Sequence, residues 1–156
     1  MEYEELLDEA FSMKLKIKEV PLRGNKGRII DNHIYIKSDM IKSEKLTTLA
    51  EEIGHYETTV GDILNQDISN NVKQEIKARY WSYDKLIGLH RIIDAYNARC
   101  LDKFDIADYL NVPLTFLESS ISYYRSKYGC CIPYRNYIIF FDPSLAVLEK
   151  IDSFND

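Results

Sequence analysis

The sequence lacks the features that mark several common classes of protein. No apolar run approaches the ~18–20 residues that a membrane span requires, and the first ten residues, MEYEELLDEA, are acidic where a secretion signal is basic and then apolar. The three cysteines are an odd number without CxxC spacing, so they predict buried thiols in a reducing compartment. We therefore expect a cytoplasmic protein that does not associate with membranes.

A net positive charge is also missing. The 156 residues carry a formal net charge of −5, which opposes the positive field that binding to a phosphate backbone requires. Hydrophobic residues make up 46% and charged residues 29% of the chain, as is typical of a globular domain. These properties predict a folded protein for which nucleic acid is not the expected partner.

The N-terminal part of the chain shows both helical and strand periodicity. Residues 2–13 place apolar side chains at helical intervals and predict an amphipathic helix. Residues 14–37 predict a β-hairpin, because apolar and polar side chains alternate on both sides of the turn-forming segment RGNKG. The second arm, residues 28–37, is expected at a sheet edge, where it could bind an extended peptide or simply cover the core.

Helices dominate the rest of the chain. Ser43 is a candidate N-cap for a helix over residues 43–58, and apolar spacing predicts another long helix over residues 70–88. Shorter helices that resemble a helix-turn-helix follow, and NYIIFFDP predicts a terminal strand. The expected fold is α+β, a small antiparallel or mixed sheet packed on helices. We expect a core over residues 1–95 and a small helical C-terminal subdomain with a terminal strand over residues 96–156.

The segment LTTLAEEIGHYETT, residues 46–59, carries the main candidate for chemistry. On a helix, Glu51 and His55 lie four residues apart on one face with Glu52 beside them, as in the HExxH zinc motif with glutamate in the first ligand position. Carboxylate oxygen binds zinc, but as a harder donor it weakens the preference for zinc over manganese or iron. On spacing alone, a solvated charged helix face is the more frequent structure.

A third ligand is expected from the following helix. Glu75 is the best candidate, because it lies 20 positions after His55 and shares a face with Ala78 and Ser82, small residues that would let two helices approach closely. Glu52 would then be the general base, which takes a proton from the metal-bound water and passes it to the leaving amide nitrogen.

Four further side chains could donate a hydrogen bond to an oxyanion during catalysis: His33, His90, Tyr56 and Tyr80. Either histidine could also replace the imidazole that the motif lacks. The structural alternatives are a surface position in a strand for His33, a helix end near the negative pole of the dipole for His90 and packing for the two tyrosines. We assign none of the four to the site.

Three segments resemble the ImmA/IrrE family of metallopeptidase-like proteins, especially the short forms of phages and mobile elements in Gram-positive bacteria. LAEEIGHYETTVGDI is similar to the family's HExxH helix with its Thr-Val-Gly tail, and QEIKARYWSYDKLI is similar to the helix that supplies the third ligand. DIADYLNVPLTFLESSISYYRSKYG is similar to the helical C-terminal part. The resemblance spans nearly the whole chain and implies a zinc site, with manganese or iron as alternatives, formed by Glu51, His55 and Glu75. Glu51 stands where the family pattern has its first histidine.

The resemblance also implies a function, because members of known activity cut a helix-turn-helix repressor and release genes of a phage, mobile element or stress response. Two hypotheses follow: a site-specific metallo-endopeptidase, or a metal-poor antirepressor that binds the repressor without cutting it. Glu52 and Glu75 favour the peptidase, since a binder needs neither. A DNA-binding regulator ranks third. The presumed second helix of the helix-turn-helix-like segment carries Glu118 and has only two basic residues, Arg125 and Lys127, near its C-terminal end.

Overall fold

The computed structural model describes residues 1–59 and 68–151 of the chain. The helices in these ranges are α1 (Tyr3–Ser12), α2 (Lys42–Thr59), α3 (Ile68–Leu86), α4 (Gly88–Asn97), α5 (Lys103–Leu110) and α6 (Leu114–Tyr128). The strands are β1 (Lys16–Val20), β2 (Gly27–Ile30), β3 (His33–Lys37), β4 (Cys131–Tyr134), β5 (Tyr137–Phe140) and β6 (Ala146–Glu149). This is the α+β fold that the sequence predicts. Val60 and Gly61 of the Thr-Val-Gly tail lie outside the described residues.

The first three strands form a sheet in the order β1-β3-β2. β3 is its central strand and pairs in parallel with β1 and antiparallel with β2. The predicted hairpin over residues 14–37 is therefore wrong. The segment 28–37, predicted as one arm of the hairpin, forms two strands, and these two strands, β2 and β3, are the ones that pair as a hairpin. Asp31 has a φ of 54° and turns the chain between them, a conformation that Asp adopts more easily than most residues. Of the predicted arm, only β2 lies at a sheet edge, and β1 forms the opposite edge.

One face of α2 packs on this sheet. Ile34 and Ile36 of β3 are fully buried, as are Leu46, Leu49 and Ile53 of α2. Full burial of each such side chain contributes about 1.5–3 kcal/mol to folding. This apolar face holds α2 against the sheet.

The close packing of α2 on α3 was expected from small side chains and is confirmed. A Cβ atom added at Gly54 would lie 2.5 Å from the carbonyl oxygen of Ala78, and both Ala78 and Ser82 are fully buried. The predicted cap Ser43 is wrong in detail, because α2 begins at Lys42 and Ser43 therefore lies inside its first turn. None of the helices in the described ranges has the length and apolar character to cross a bilayer.

The C-terminal part contains α4, α5 and α6 and a second sheet in the order β4-β5-β6. Asp102 caps α5 by accepting a hydrogen bond from the Asp105 backbone N–H at 2.9 Å, and Asn111 ends α5 with a φ of 59°. The predicted terminal strand is the central strand β5 rather than a lone strand, with β4 and β6 on either side. The predicted division between residues 95 and 96 falls within α4, and it stays a prediction.

A buried tyrosine ties α6 to the junction of α3 and α4. The Tyr124 hydroxyl accepts a hydrogen bond from the Gly88 backbone N–H at 3.0 Å. The hydroxyl in turn donates toward the Tyr83 carbonyl oxygen and Asp84 Oδ1, each 3.1 Å away. We expect Tyr124→Phe to lower the free energy of unfolding by about 1–3 kcal/mol, because it leaves buried polar groups without this partner. Thermal denaturation measures the loss. Tyr109→Phe, at an exposed tyrosine, should match wild type, and an equal loss in both variants would contradict the prediction.

Candidate metal centre

A polar cavity of about 560 Å³ lies between α2, α3, the N-terminal half of α6 and the start of β2. Its charged lining on the two long helices is Glu44, Glu51, Glu52 and His55 from α2 and Glu75 and Arg79 from α3. Residues predicted from two separate segments therefore share one cavity. The packing of Gly54 on Ala78 fixes the distance between the helices that carry them.

His55 and Glu75 are the two predicted ligands that form an ion pair in the cavity. Nε2 of His55 lies 3.4 Å from Oε1 of Glu75, and the two side chains are 21% and 57% exposed. Two ligands bound at ~2.0–2.1 Å around a tetrahedral ion are separated by about 3.4 Å. The spacing of this pair therefore suits two ligands of one metal ion as well as a hydrogen bond.

The third predicted ligand, Glu51, lines the same cavity. Its Cβ lies about 5–6 Å from that of His55, because the two residues are four apart on α2. Within residues 1–59 and 68–151, no three His, Cys, Asp or Glu side chains converge closely enough to enclose an ion. The residues thus fit a divalent metal by donor chemistry and by the spacing of one pair, with Glu51 one helical turn from that pair.

Negative charge is concentrated around these donors. Burial raises the pKa of Glu52 to about 7, and the neighbouring Glu51 and Glu75 carboxylates add to this effect. Burial also raises the pKa of Glu51, while Arg79 acts in the opposite direction. A bound cation would offset the repulsion between these carboxylates. A glutamate with a pKa near 7 is also suited to accept and release a proton at neutral pH.

The edge strand β2 begins directly beside Glu52. A Cβ atom added at Gly27 would lie 2.9 Å from Oε1 of Glu52 and 2.6 Å from Cγ2 of Thr48. Only glycine lets the backbone of β2 come this close to the carboxylate. Sequence reasoning missed this role, although Gly27 is the second glycine of the RGNKG segment.

The wall that α6 contributes was also missed. Phe116 and Ser119 line the cavity, and Phe116 packs edge-on against Tyr83 of α3 with ring centroids 5.1 Å apart. Tyr83 is only 7% exposed, and burial, with a smaller effect of the Glu51 charge, raises its pKa. No local sequence signal places α6 here, because the contact joins residues more than 30 positions apart.

The four additional candidates lie elsewhere in the described part of the chain, and none lines this cavity. His33 pairs within the sheet as part of β3. His90 is exposed in the first turn of α4, so its prediction as a residue at the negative end of a helix is wrong. Tyr56 packs against the core, and Tyr80 stacks on Tyr123 with ring centroids 4.2 Å apart. The packing role predicted for both tyrosines is confirmed.

Comparison with known families gives one match. The sequence profile of the Peptidase_M78 family, described as the IrrE N-terminal-like domain, matches residues 8–122. The matched region covers more than half of the chain and includes the whole α2 and α3 pair. No curated protein matches the sequence.

Proposed function

Because the chain belongs to the Peptidase_M78 family of IrrE N-terminal-like domains, we propose that it is a metal-dependent, site-specific endopeptidase. Its proposed substrate is a helix-turn-helix repressor of a phage or mobile element, which would place the protein in the cytoplasm. The spacing of 3.4 Å between His55 Nε2 and Glu75 Oε1, in the same cavity as Glu52, carries the proposal. Cleavage of the repressor would derepress the genes it controls.

His55, Glu75 and Glu51 would hold the metal, with zinc as the first choice and manganese or iron as alternatives. The bound metal would supply Lewis-acid activation of water and of the scissile carbonyl. Glu52 accepts the proton of the attacking water on its carboxylate and delivers it to the leaving amide nitrogen, so that the amine leaves as a neutral group. Because the pKa of Glu52 is raised to about 7, its carboxylate can both accept the proton from water and release it to the amine at neutral pH.

The edge strand β2 provides a means of orienting the substrate. Among the residues that the structure describes, β2 pairs with a strand on one side only, so its other side offers backbone groups for an added strand. Since Gly27 at the start of β2 approaches Glu52 closely, a peptide paired with β2 would bring a peptide bond near that carboxylate. This explains how an extended segment of a repressor could be cut at one bond.

Metal binding gives the direct test. Equilibrium dialysis against zinc, manganese and iron is expected to show one equivalent of metal for wild type. We expect Glu75→Gln to weaken binding by about tenfold, because an amide oxygen is a poorer ligand than a carboxylate. Glu57→Gln, at an exposed residue of α2 outside the cavity, should retain wild-type affinity. Equal affinities for wild type and Glu75→Gln would remove Glu75 from the site.

A second candidate function is a metal-poor antirepressor, which inactivates the repressor by binding alone. It is favoured by the finding that no three donors enclose an ion among the described residues. In that case the repressor would leave its operator as an intact chain. The two functions therefore differ in whether a shorter repressor fragment is produced.

Direct DNA binding is the weakest candidate. Arg125 donates from Nε to the Phe141 carbonyl oxygen at 3.1 Å, and Glu118 pairs with Lys103 at 2.8 Å. α6 therefore offers a phosphate backbone few free positive groups. A gel-shift titration over a salt series should show no tight, salt-sensitive complex.

A further inference from the structure

The substitution of Glu51 for the first histidine changes the charge of the donor set. A neutral imidazole contributes no charge to a metal site, whereas an ionised carboxylate contributes one negative charge. Glu51, His55 and Glu75 therefore bring two negative charges, where a site with two histidines and one glutamate brings one. A positively charged side chain in the same cavity can balance this additional negative charge.

Arg79 lies in the same cavity as Glu51. It follows Glu75 by four residues on α3, so the two side chains lie on one face of that helix. Besides Arg79, the basic side chain Lys26 also lines this cavity. Lys26 is already paired with Glu44 at 3.2 Å. In the described ranges Arg79 forms no ion pair, so its charge is not neutralised by such a pair there, and it lines the same cavity as Glu51 and Glu75.

We propose that Arg79 compensates the additional negative charge of Glu51 and thereby sets the metal affinity of the site, an inference that rests on the proposed metal-dependent function. Arg79 is not a ligand, since a guanidinium has no lone pair to donate and stays protonated at all physiological pH values. Together with Arg79, the three donors have the net charge of a donor set with two histidines and one glutamate. The site therefore has a moderate affinity for divalent cations rather than that of two uncompensated carboxylates.

The first test is the zinc affinity of Arg79→Met, measured by competition with a chelating indicator. Arg79→Met keeps much of the side-chain volume and removes the charge. We expect its zinc Kd to fall by about tenfold, because a positive charge several ångströms from a divalent cation opposes binding. Lys77→Met removes a charge from an exposed position on α3 outside the cavity and should change the Kd by less than about twofold. An unchanged or higher Kd for Arg79→Met would overturn the proposal.

The second test needs no metal. In excess EDTA we expect Arg79→Met to lower the melting temperature, because Glu51 and Glu75 then repel each other without compensation. This loss should disappear when Glu51→Gln is also present. An equal loss in both backgrounds would show that Arg79 does not act on Glu51 and would overturn the proposal.

The two tests separate this inference from the proposed function. If all variants bind zinc and Arg79→Met binds it as wild type does, the role of Arg79 fails while the metal site stands. If neither wild type nor Arg79→Met binds zinc, manganese or iron, the proposed metal site fails and the role of Arg79 in metal affinity fails with it. The stability measurements in EDTA still determine, in that case, whether Arg79 balances the charge of Glu51.

Discussion

Glu52→Gln is expected to reduce cleavage of the repressor by about 10²–10⁴-fold while leaving repressor binding unchanged. The amide has nearly the shape of the carboxylate and fits beside Gly27, but it cannot accept a proton from water. The measurement is the appearance of fragments of the proposed repressor substrate on a denaturing gel over time. Binding of the intact repressor is measured in parallel by titration calorimetry.

The control for this experiment is the fold of the variant. Burial and two neighbouring carboxylates raise the pKa of Glu52 to about 7, so at higher pH its ionised form destabilises the folded state. A neutral amide at this position should therefore leave the melting temperature unchanged or raise it. Glu57→Gln, on the exposed face of the same helix, should cleave as wild type does.

The same pair of measurements distinguishes the two functions. Cleavage by wild type and its loss in Glu52→Gln would support the peptidase. If wild type and Glu52→Gln both release the repressor from its operator without producing fragments, the antirepressor is correct and the peptidase is wrong. Fragments produced equally by both proteins would exclude Glu52 as the general base.

The sequence predicts the parts of the site that depend on local spacing. Glu51, Glu52 and His55 fall within one helix, so the period of 3.6 residues is enough to place them together. Glu75 was found because small residues follow it on the next helix. The same reasoning predicts α2 and α3 with nearly their observed bounds, and with them the two helices that face each other across the cavity.

Nonlocal contacts explain what the sequence does not predict. The parallel pairing of β1 with β3 leaves no local signal, and Asp31 interrupts the alternation for only two residues between β2 and β3. Apolar spacing predicts α3 but does not show which part of it is buried, since Val72 and Ile76 are 56% and 40% exposed whereas Tyr83 and Leu86 are buried. Against α2 the helix also packs through the small Ala78, which hydrophobic periodicity does not detect.

That small-residue contact leads to the second large expected effect. We expect Gly54→Ala to lower the free energy of unfolding by about 3 kcal/mol through overpacking, although the same change in an unconstrained helix stabilises it by up to about 1 kcal/mol. The added Cβ would lie 2.5 Å from the carbonyl oxygen of Ala78, with the Cα and carbonyl carbon of that residue at 3.1 Å. These are backbone atoms of α3, so the helices have to separate. Urea denaturation measures the loss.

Gly27→Ala is the matched comparison, because its added Cβ meets side-chain atoms rather than backbone, Thr48 Cγ2 at 2.6 Å and Glu52 Oε1 at 2.9 Å. We expect it to cost less than Gly54→Ala, because side chains adjust more easily than the backbone of a packed helix. His55 follows Gly54 by one residue, and Glu75 precedes Ala78 by three. Separation of the helices in Gly54→Ala would therefore also increase the distance between His55 and Glu75. Its zinc affinity should therefore fall together with its stability. If Gly54→Ala were as stable as wild type, the contact with Ala78 would not determine the spacing of the metal ligands.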